Sequence, residues 1–457
     1  MAWNIGANDV ANAMGTSVGS GALTLRNAVI IAACLEFAGA FLFGSHVSQT
    51  VQTGIVKPDI FTQDPLLLVY GMLSALLAAG IWLQIASYFG WPVSTTHSIV
   101  GAIVGFGLIS GGTEAIYWKN IAFIVSSWIV SPLLGGIIAY LLFNLLRHRI
   151  FYTQHPVEAA RRITPYLVFF SFTMMTALML FKGLENLPVK LGVIEASLLS
   201  CVVGGIAAGI SIYLVQHIRV AKRRRAKRPV YSAEVAVELE KARKHLTKVQ
   251  TTSTGELHYY VSLLIEEVNS IAETLRDTSA AENDDSEYLI VERIFARLQI
   301  VSASFMAFAH GANDVANAIG PLAASVAILT EGSLPTESNI PLWILFIGGL
   351  GIVAGLATWG WRVIETIGRK LTELTPSRGV CAELGAATTI VVASRLGLPI
   401  STTHTLVGAV LGVAFARGLG AINLATTRDI VLSWIVTVPA GAVVAVTIFS
   451  FLKALFT

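Results

Sequence analysis

The sequence predicts an all-α membrane protein of about 12 transmembrane helices. We expect two inverted-topology repeats with broken or re-entrant helices and a cytoplasmic helical insertion. Three observations predict this fold: a low charge content, long stretches without charged residues, and an internal duplication. Of 457 residues, 54% are hydrophobic and 13% are charged, whereas a soluble domain carries roughly 25% charged residues. This composition excludes a disordered chain, a soluble multidomain enzyme and a nucleic-acid-binding protein as first expectations.

The charged residues are concentrated in one segment. Residues 219–298 hold 14 of the 31 Lys and Arg and 13 of the 28 Asp and Glu. Elsewhere, several stretches without any charge are long enough for the roughly 20 apolar residues of a spanning helix. They are 65–113, which suffices for two crossings, and 120–146, 163–181, 196–218, 340–361 and 430–452. We therefore expect a multi-pass membrane protein with one polar insertion.

Three sequence blocks occur twice at nearly one spacing, which is the signature of a duplication. The offsets are 305, 307 and 306 residues. They predict two related halves of roughly 150 residues each. The blocks are GANDVANAMG (6–15) with GANDVANAIG (311–320), WPVSTTHS (91–98) with LPISTTHT (398–405), and SWIV (127–130) with SWIV (433–436).

The distribution of Lys and Arg predicts the orientation of the halves, because basic loops stay on the cytoplasmic side. The loop Val47–Asp64 has one such residue, and its counterpart Trp361–Arg378 has four. The first half ends at the basic pair Arg147 and Arg149, so we expect this end inside and both chain termini outside a plasma (inner) membrane. The expected parts are membrane repeat 1 (1–150), two linker transmembrane helices (151–221), a cytoplasmic helical hairpin (222–296) and the inverted repeat 2 (297–457).

The insertion contains six apolar residues at alternating spacings of four and three, which is the seam of two packed helices. Two interpretations stay open: an ordinary helix pair, which we favour, and a dimerising or regulatory module. Only five residues precede the first GAND block, so we expect either a short first helix or a trimmed chain. The seam residues are Leu257, Val261, Leu264, Val268, Ile271 and Leu275.

Acidic residues inside a membrane are costly and usually functional. Asp9 and Asp314 each lie in a GAND block, between asparagines that share a helix face. Side-chain oxygens around a carboxylate suit a hard cation such as Na⁺, and we expect the helices to break at Gly6 and Gly311. The alternative is an Asp paired with a Lys or Arg, for which the sequence offers no obvious partner. The expected sodium ligands are Asn8, Asp9, Asn12, Asn313, Asp314 and Asn317, with Ser94 and Ser401.

The second pair of blocks predicts an anion site. A proline followed by hydroxyl residues begins a helix, and a helix N-terminus offers free N–H donors to an anion. Two such termini that face one another near the midplane of an inverted repeat would suit a tetrahedral oxyanion. The alternative is helix capping without a ligand. The expected contacts are Ser94, Thr95, Thr96, Ser401, Thr402 and Thr403, together with Asp9 and Asp314.

Four further residues are candidates for coupling ion movements. His97 and His404 follow the hydroxyl runs and could donate to the anion, shuttle protons or serve the structure alone. Glu36 and Glu383 are intramembrane acids that are either cation ligands or polar ties between helices.

An enzyme is the less favoured interpretation. The sequence GTSVG at 15–19 matches the nucleophile pattern G-x-S-x-G, but that motif has meaning only between a strand and a helix of a soluble sheet. A pair of Ser94 and His97 lacks an orienting acid. We therefore expect no catalytic residue and no enzymatic activity.

The paired GANDVAN and Pro-x-Ser-Thr-Thr-His blocks resemble those of the Pit family of inorganic phosphate transporters. In that family the duplicated segments form the phosphate and coupling-ion sites. The resemblance implies that the Asn-Asp pairs and the hydroxyl runs named above bind sodium and phosphate here, and that Glu36 and Glu383 match the family's important intramembrane glutamates.

The favoured function is sodium-coupled uptake of inorganic phosphate across the bilayer, with no cofactor and no nucleic acid as partner. A homodimer is left open. The alternatives are proton-coupled uptake of phosphate or metal-phosphate, sulfate uptake on the same fold, an anion channel, and a membrane-embedded serine hydrolase acting through Ser17 or Ser94.

Overall fold

The computed structural model describes residues 1–182, 192–216, 233–253, 257–258, 260–269, 284–332, 340–365, 374–418 and 424–456. The fold over these ranges is helical, without strands. The first half contains α1 (Ala2–Gly19), α2 (Leu25–Phe43), α3 (Ser45–Thr53), α4 (Pro65–Phe89), α5 (Thr95–Gly111) and α6 (Trp118–Leu146). Then follow α7 (Pro156–Lys182), α8 (Val193–Gln216) and α9 (Ala233–Thr252). The second half contains α10 (Asp284–Glu331), α11 (Leu342–Trp359), α12 (Trp361–Glu365), α13 (Pro376–Arg395), α14 (Thr402–Arg417) and α15 (Leu424–Phe456).

Six helices in the described ranges are long and apolar enough to cross a membrane. They agree with the predicted multi-pass, all-helical fold, whereas a count of 12 crossings stays a prediction. The polar blocks keep α1 and α10 out of this set, because both helices carry Asp and Asn side chains. The six segments are Leu25–Phe43, Pro65–Phe89, Trp118–Phe151, Val193–Gln216, Leu342–Trp359 and Ile430–Phe456.

The predicted helix breaks at Gly6 and Gly311 are wrong. Helix α1 continues through Gly6, and α10 continues through Gly311. The missing side chain serves close packing instead. A Cβ atom at Gly6 would lie 1.9 Å from the carbonyl oxygen of Ile352, and one at Gly311 would lie 2.2 Å from that of Glu36. The two glycines therefore bring α1 against α11 and α10 against α2.

The chain breaks where proline and hydroxyl residues predict a helix start. Helix α4 ends at Gly90, which has a φ of 69°, and α5 begins at Thr95. Its N-cap Ser94 accepts a hydrogen bond of 3.1 Å from the backbone N–H of His97. In the second half, Ser401 caps α14 in the same way. The two breaks thus place two buried helix N-termini inside the protein.

The two halves are interleaved. Helix α1 packs on α11 and α10 packs on α2, while α5 contacts α15 and α14 contacts α6. The helices that carry the repeated blocks of one half thereby pack against helices of the other half. The interior between them is lined by small and polar side chains of α1, α5, α10 and α14, so the site lies at the junction of the halves.

The insertion is described in part. A second helical stretch, 260–269, follows α9, and Gln250 Nε2 donates to Ser262 Oγ at 2.9 Å. Val261 of the predicted seam is buried, whereas Leu257 and Leu264 are exposed. Ile271 and Leu275 lie outside the described residues. Helix α10 begins at Asp284 and so joins the end of 222–296 to 297–457 without interruption.

Replacing Gly311 by alanine is expected to destabilise the protein by about 3 kcal/mol or more, because the new methyl group has to displace backbone of α2. The matched control is Gly205→Ala in α8, where nothing lies within 4 Å of the added atom. Thermal unfolding of the purified proteins measures both changes. Equal melting midpoints for the two variants would contradict the close-packing role of Gly311.

Candidate functional site

The GAND block of each half reaches the hydroxyl run of the other half. Asn12 Nδ2 of α1 donates to Thr403 Oγ1 at the start of α14, at 2.8 Å. In the reciprocal contact, Asn317 Nδ2 of α10 donates to Thr96 Oγ1 of α5, at 3.1 Å. The same amide groups lie 3.3 Å from Thr402 Oγ1 and 3.4 Å from Thr95 Oγ1, respectively. The two blocks that the sequence singled out therefore form one site.

The two helix breaks are also bonded to each other. Thr96 Oγ1 donates to the carbonyl oxygen of Ile400 at 2.9 Å, and Thr403 Oγ1 donates to that of Val93 at 3.3 Å. These reciprocal bonds hold the N-termini of α5 and α14 side by side. A pair of helix N-termini concentrates positive partial charge at one point.

The two aspartates lie against this pair of N-termini. Thr402 Oγ1 donates to Asp314 Oδ2 at 2.7 Å, and Thr403 Oγ1 lies 3.3 Å from Asp9 Oδ1, sharing its single proton between this carboxylate and the carbonyl oxygen of Val93. Both carboxylates are fully buried. Hydroxyl donors partly offset the cost of removing them from water.

Asn8 and Asn313, the first asparagines of the two GAND blocks, form hydrogen bonds with residues outside the blocks. Asn8 Nδ2 donates to Ser87 Oγ and to the carbonyl oxygen of Trp91, each at 3.1 Å. Asn313 Nδ2 donates to Ser394 Oγ at 2.8 Å. Ser87 and Ser394 lie 307 residues apart, so this contact also recurs in both halves.

Six buried oxygens of the site receive no hydrogen bond from any described residue. A buried polar atom without a partner is rare and calls for an explanation. Oxygens of carboxylate and carboxamide groups are ligands of hard cations, so these atoms fit a cation. They are the Oδ1 atoms of Asn8, Asn12, Asn313 and Asn317, Oδ2 of Asp9 and Oδ1 of Asp314.

His310 joins the two aspartates, and the sequence analysis missed it. Its Nε2 lies 3.0 Å from Asp314 Oδ2 and 3.9 Å from Asp9 Oδ2, and its Nδ1 lies 3.2 Å from Glu36 Oε1. All four side chains are fully buried. Ligand atoms of Asp9, His310 and Asp314 lie within 4.8 Å of one another. With a carboxylate behind the imidazole, this arrangement could hold a metal ion.

The pair of His310 and Glu36 has an apolar counterpart. Gly311 contacts Glu36 in the way that Gly6 contacts Ile352, so Ile352 occupies the position of Glu36 in the other half. Ile5 precedes Gly6 as His310 precedes Gly311. Both members of the polar pair are therefore isoleucine on the other side. A search for differences between the repeats, rather than identities, would have found His310.

Glu383 belongs to a separate cluster. Its Oε1 accepts hydrogen bonds from Thr16 Oγ1 at 2.5 Å, Ser17 Oγ at 2.8 Å and Gln299 Nε2 at 3.0 Å. Ser302 donates to its Oε2. Glu383 is fully buried and ties α13 to α1 and α10. The structure thus places the two glutamates in different surroundings, with Glu36 beside His310 and Glu383 among uncharged donors.

The two histidines of the hydroxyl blocks pack on tryptophans. The rings of His97 and His404 lie 4.3 Å apart, and they lie 3.7 Å and 3.6 Å from the rings of Trp128 and Trp434. Trp128 Nε1 donates to the carbonyl oxygen of Pro399 at 3.2 Å. The tryptophans of the two SWIV blocks therefore pack against the histidines that follow the two helix breaks.

We expect His310→Ile to lower stability strongly, because it leaves Glu36, Asp9 and Asp314 buried together without the imidazole. Breaking a buried ionic pair costs about 3–5 kcal/mol. The double variant His310→Ile with Glu36→Ile copies the Ile5–Ile352 pair and is expected to recover most of that loss. Thermal unfolding of the wild type, both single variants and the double variant measures the coupling. Strictly additive losses would show that the two residues do not act as a unit.

Comparisons with known proteins show the family of the chain. The model of the phosphate transporter family matches residues 5–445. A Chlamydia pneumoniae protein named a phosphate permease is 47% identical over 460 residues, covering 99% of this chain and 96% of that protein. The Arabidopsis thaliana protein "Inorganic phosphate transporter 2-1, chloroplastic" is 46% identical over 448 residues, covering 98% of this chain and 69% of that protein.

A solved structure also matches. It is titled "The sodium-dependent phosphate transporter", and it superposes with a TM-score of 0.80 at 38% identity over 99% of this chain and 96% of that chain. Both the family match and the relatives extend through the two GAND blocks and the two hydroxyl runs. The chain belongs to the phosphate transporter family.

Proposed function

We propose that the protein takes up inorganic phosphate coupled to sodium, at the site where α1, α5, α10 and α14 meet. One observation carries the proposal: buried carboxylates and unpaired carboxamide oxygens adjoin two paired helix N-termini. The first set of groups suits cations and the second suits an anion. A symporter has to bind both at once.

Charge balance supports binding of phosphate together with sodium. Asp9 and Asp314 would repel an oxyanion if no cation lay between them. Each GAND block supplies one carboxylate and two asparagines, which is the composition of one oxygen-rich cation site. Two sodium ions would offset the two charges of a phosphate dianion. The proposed ligands are Asn8, Asp9, Asn12 and Ser94 in one half, and Asn313, Asp314, Asn317 and Ser401 in the other.

The proposed phosphate contacts are the hydroxyl groups and the N-terminal N–H groups of α5 and α14. Ser94 and Ser401 already occupy the N–H groups of His97 and His404 as caps. Among the described residues, no bond engages the backbone N–H groups of Thr95, Thr96, Thr402 and Thr403. These donors converge where the two helices meet, and Asp9 and Asp314 are the neighbours that the phosphate would share with the sodium ions.

Alternating access is proposed to follow from the interleaved halves. If the repeats are inverted, a movement of one half relative to the other exposes the same site to opposite sides of the membrane. We further propose a plasma-membrane location with both termini outside and 222–296 in the cytoplasm, in accord with the basic loops. Glu36, Glu383, His97 and His404 remain candidates for coupling the movement to ion binding, and a homodimer remains an open proposal.

The other interpretations have less support. Proton-coupled phosphate or sulfate uptake would use the same fold, but the unpaired oxygens resemble a cage for a metal cation. A channel would need an open polar pore, whereas the site residues are buried. For a serine hydrolase, Ser17 Oγ donates to Glu383 rather than to a histidine, and Ser94 Oγ serves as a helix cap.

Purified protein in liposomes is expected to accumulate labelled phosphate under an inward Na⁺ gradient. Replacing Na⁺ with choline is expected to abolish the accumulation, because the carboxylates then lack counter-cations. An inward proton gradient and an excess of sulfate serve as the comparison arms. Equal uptake with choline would exclude the sodium coupling, and equal inhibition by sulfate and unlabelled phosphate would exclude phosphate selectivity.

The paired change Thr96→Val and Thr403→Val is expected to raise the phosphate KM about tenfold or more, because a hydrogen bond to a charged group contributes about 1.5–3 kcal/mol. The matched control is Thr389→Val, whose buried hydroxyl donates at 2.9 Å to Gly385 of its own helix. The phosphate dependence of initial uptake rates measures both. An unchanged KM in the paired variant would show that these hydroxyl groups serve the structure and do not bind phosphate.

Asp9→Asn and Asp314→Asn are expected to weaken the dependence of uptake on Na⁺ while each protein still folds, because asparagine keeps the shape of the side chain and removes its charge. Uptake rates over a series of Na⁺ concentrations measure the effect, and thermal unfolding checks the fold. Wild-type sodium curves for both variants would contradict the assignment of the cation sites.

A further inference from the structure

A cleft of about 350 Å³ separates α8 from α10. Helix α7 forms its floor. Its walls are mainly apolar and include Val168, Phe172, Ile206, Ile210 and Leu298. The polar residues along it are Thr164, Ser211 and Arg297. The cleft lies outside the site described above and shares no residue with it.

Helix α8 is held to the protein through α7. A Cβ atom at Gly204 would lie 2.0 Å from Thr173 Oγ1, so the two helices are in close contact there. On its other sides α8 carries exposed apolar side chains, such as Leu198 and Val202 at 63% and 56% exposure. The cleft is therefore a gap on the periphery of the helix bundle, where lipid surrounds the protein.

The cleft has the length of one membrane leaflet. Its lining extends along α8 from Val203 to Val215, which corresponds to about 18 Å at 1.5 Å per residue. One leaflet of the hydrocarbon core measures about 15 Å, half of the roughly 30 Å bilayer core. A gap of this length matches an extended acyl chain.

At one end of the cleft, the starts of α7 and α10 and the end of α8 lie close together. Tyr288 Oη of α10 donates to the carbonyl oxygen of Phe151, just before α7, at 3.1 Å. Further along, the rings of Phe172 and Phe305 lie 4.9 Å apart. Helices α7 and α10 therefore run parallel, and α8 returns antiparallel to α7. The starts of α7 and α10 and the end of α8 meet at the same surface.

Two arginines lie at this end of the cleft. Arg297 lines the cleft, and Arg293 precedes it by one helical turn on the exposed side of α10. Glu292, the acidic residue next to Arg293, is engaged by the backbone and hydroxyl of Ser377 at 2.9 and 2.7 Å. Basic groups beside a gap between transmembrane helices favour anionic lipid head groups.

We propose that the cleft between α7, α8 and α10 is a binding site for one anionic phospholipid, with an acyl chain along α8 and the head group at Arg293 and Arg297. The chain fills a gap that would otherwise be empty in the bilayer and connects α8 to α10. The two guanidinium groups select a negatively charged head group over a zwitterionic one. This site is independent of phosphate transport.

Native mass spectrometry of the full-length protein, stripped of lipid in detergent and titrated with one lipid at a time, tests the proposal. Phosphatidylglycerol is expected to bind about 25-fold more tightly than phosphatidylcholine of the same chains, since each of the two basic groups contributes a factor of about five. Arg297→Gln is expected to reduce phosphatidylglycerol binding about fivefold. Arg149→Gln, an exposed arginine at the end of α6, is the matched control.

A second pair of variants tests the place of the acyl chain. Ala207→Phe puts a ring into the cleft and is expected to abolish the single high-affinity adduct. Val202→Phe puts the same ring on the exposed side of α8 and is expected to leave the adduct intact. Size-exclusion elution and melting midpoints confirm that all variants fold.

Equal binding of the two lipids would overturn the proposal, as would an adduct that survives both Ala207→Phe and Arg297→Gln. A wild-type dimer that Ala207→Phe converts to a monomer, with no lipid adduct in either form, would assign the cleft to a second copy of the chain and also overturn it.

Discussion

Three carboxylates and one imidazole share a volume from which water is excluded, and the rest of the core is arranged around this constraint. Asp9, Asp314 and Glu36 would repel one another at these distances, and His310 lies between them. The hydroxyl groups of Thr402 and Thr403 and the N-termini of α5 and α14 supply further positive partial charge. Each of these groups is costly to bury alone. Together they surround several buried oxygens that have no hydrogen-bond partner among the described residues.

The duplication gives the site its symmetry, and a few residues remove it. Reciprocal bonds of Asn12 and Asn317 make the two halves alike. The positions of His310 and Glu36 are occupied by Ile5 and Ile352 in the other half. Glu383 accepts hydrogen bonds from hydroxyl groups of α1 and α10. If the protein alternates between two arrangements as proposed, two halves of equal energy would leave it without a preferred state. Polar groups present in one half alone would then give the two arrangements different energies, which is the usual basis of a two-state conformational equilibrium.

Much of the architecture could be predicted from the sequence, because hydropathy and the repeated blocks depend on local composition. The helix starts at Thr95 and Thr402 follow from proline and a hydroxyl cap, and both occur. The breaks at Gly6 and Gly311 do not occur, because glycine permits either a flexible backbone or a close helix contact, and only the neighbouring helix decides between them. His310 was missed because its role depends on Glu36, which lies far away in the sequence.

The length of α10 has a mechanical consequence. Its 48 residues form one helix of about 72 Å, more than twice the roughly 30 Å of a bilayer core. Asp314 and Asn317 lie on the same helix as Asp284, which belongs to the last part of the polar insertion. A tilt or sliding of that end would therefore be transmitted to these two side chains along one continuous helix.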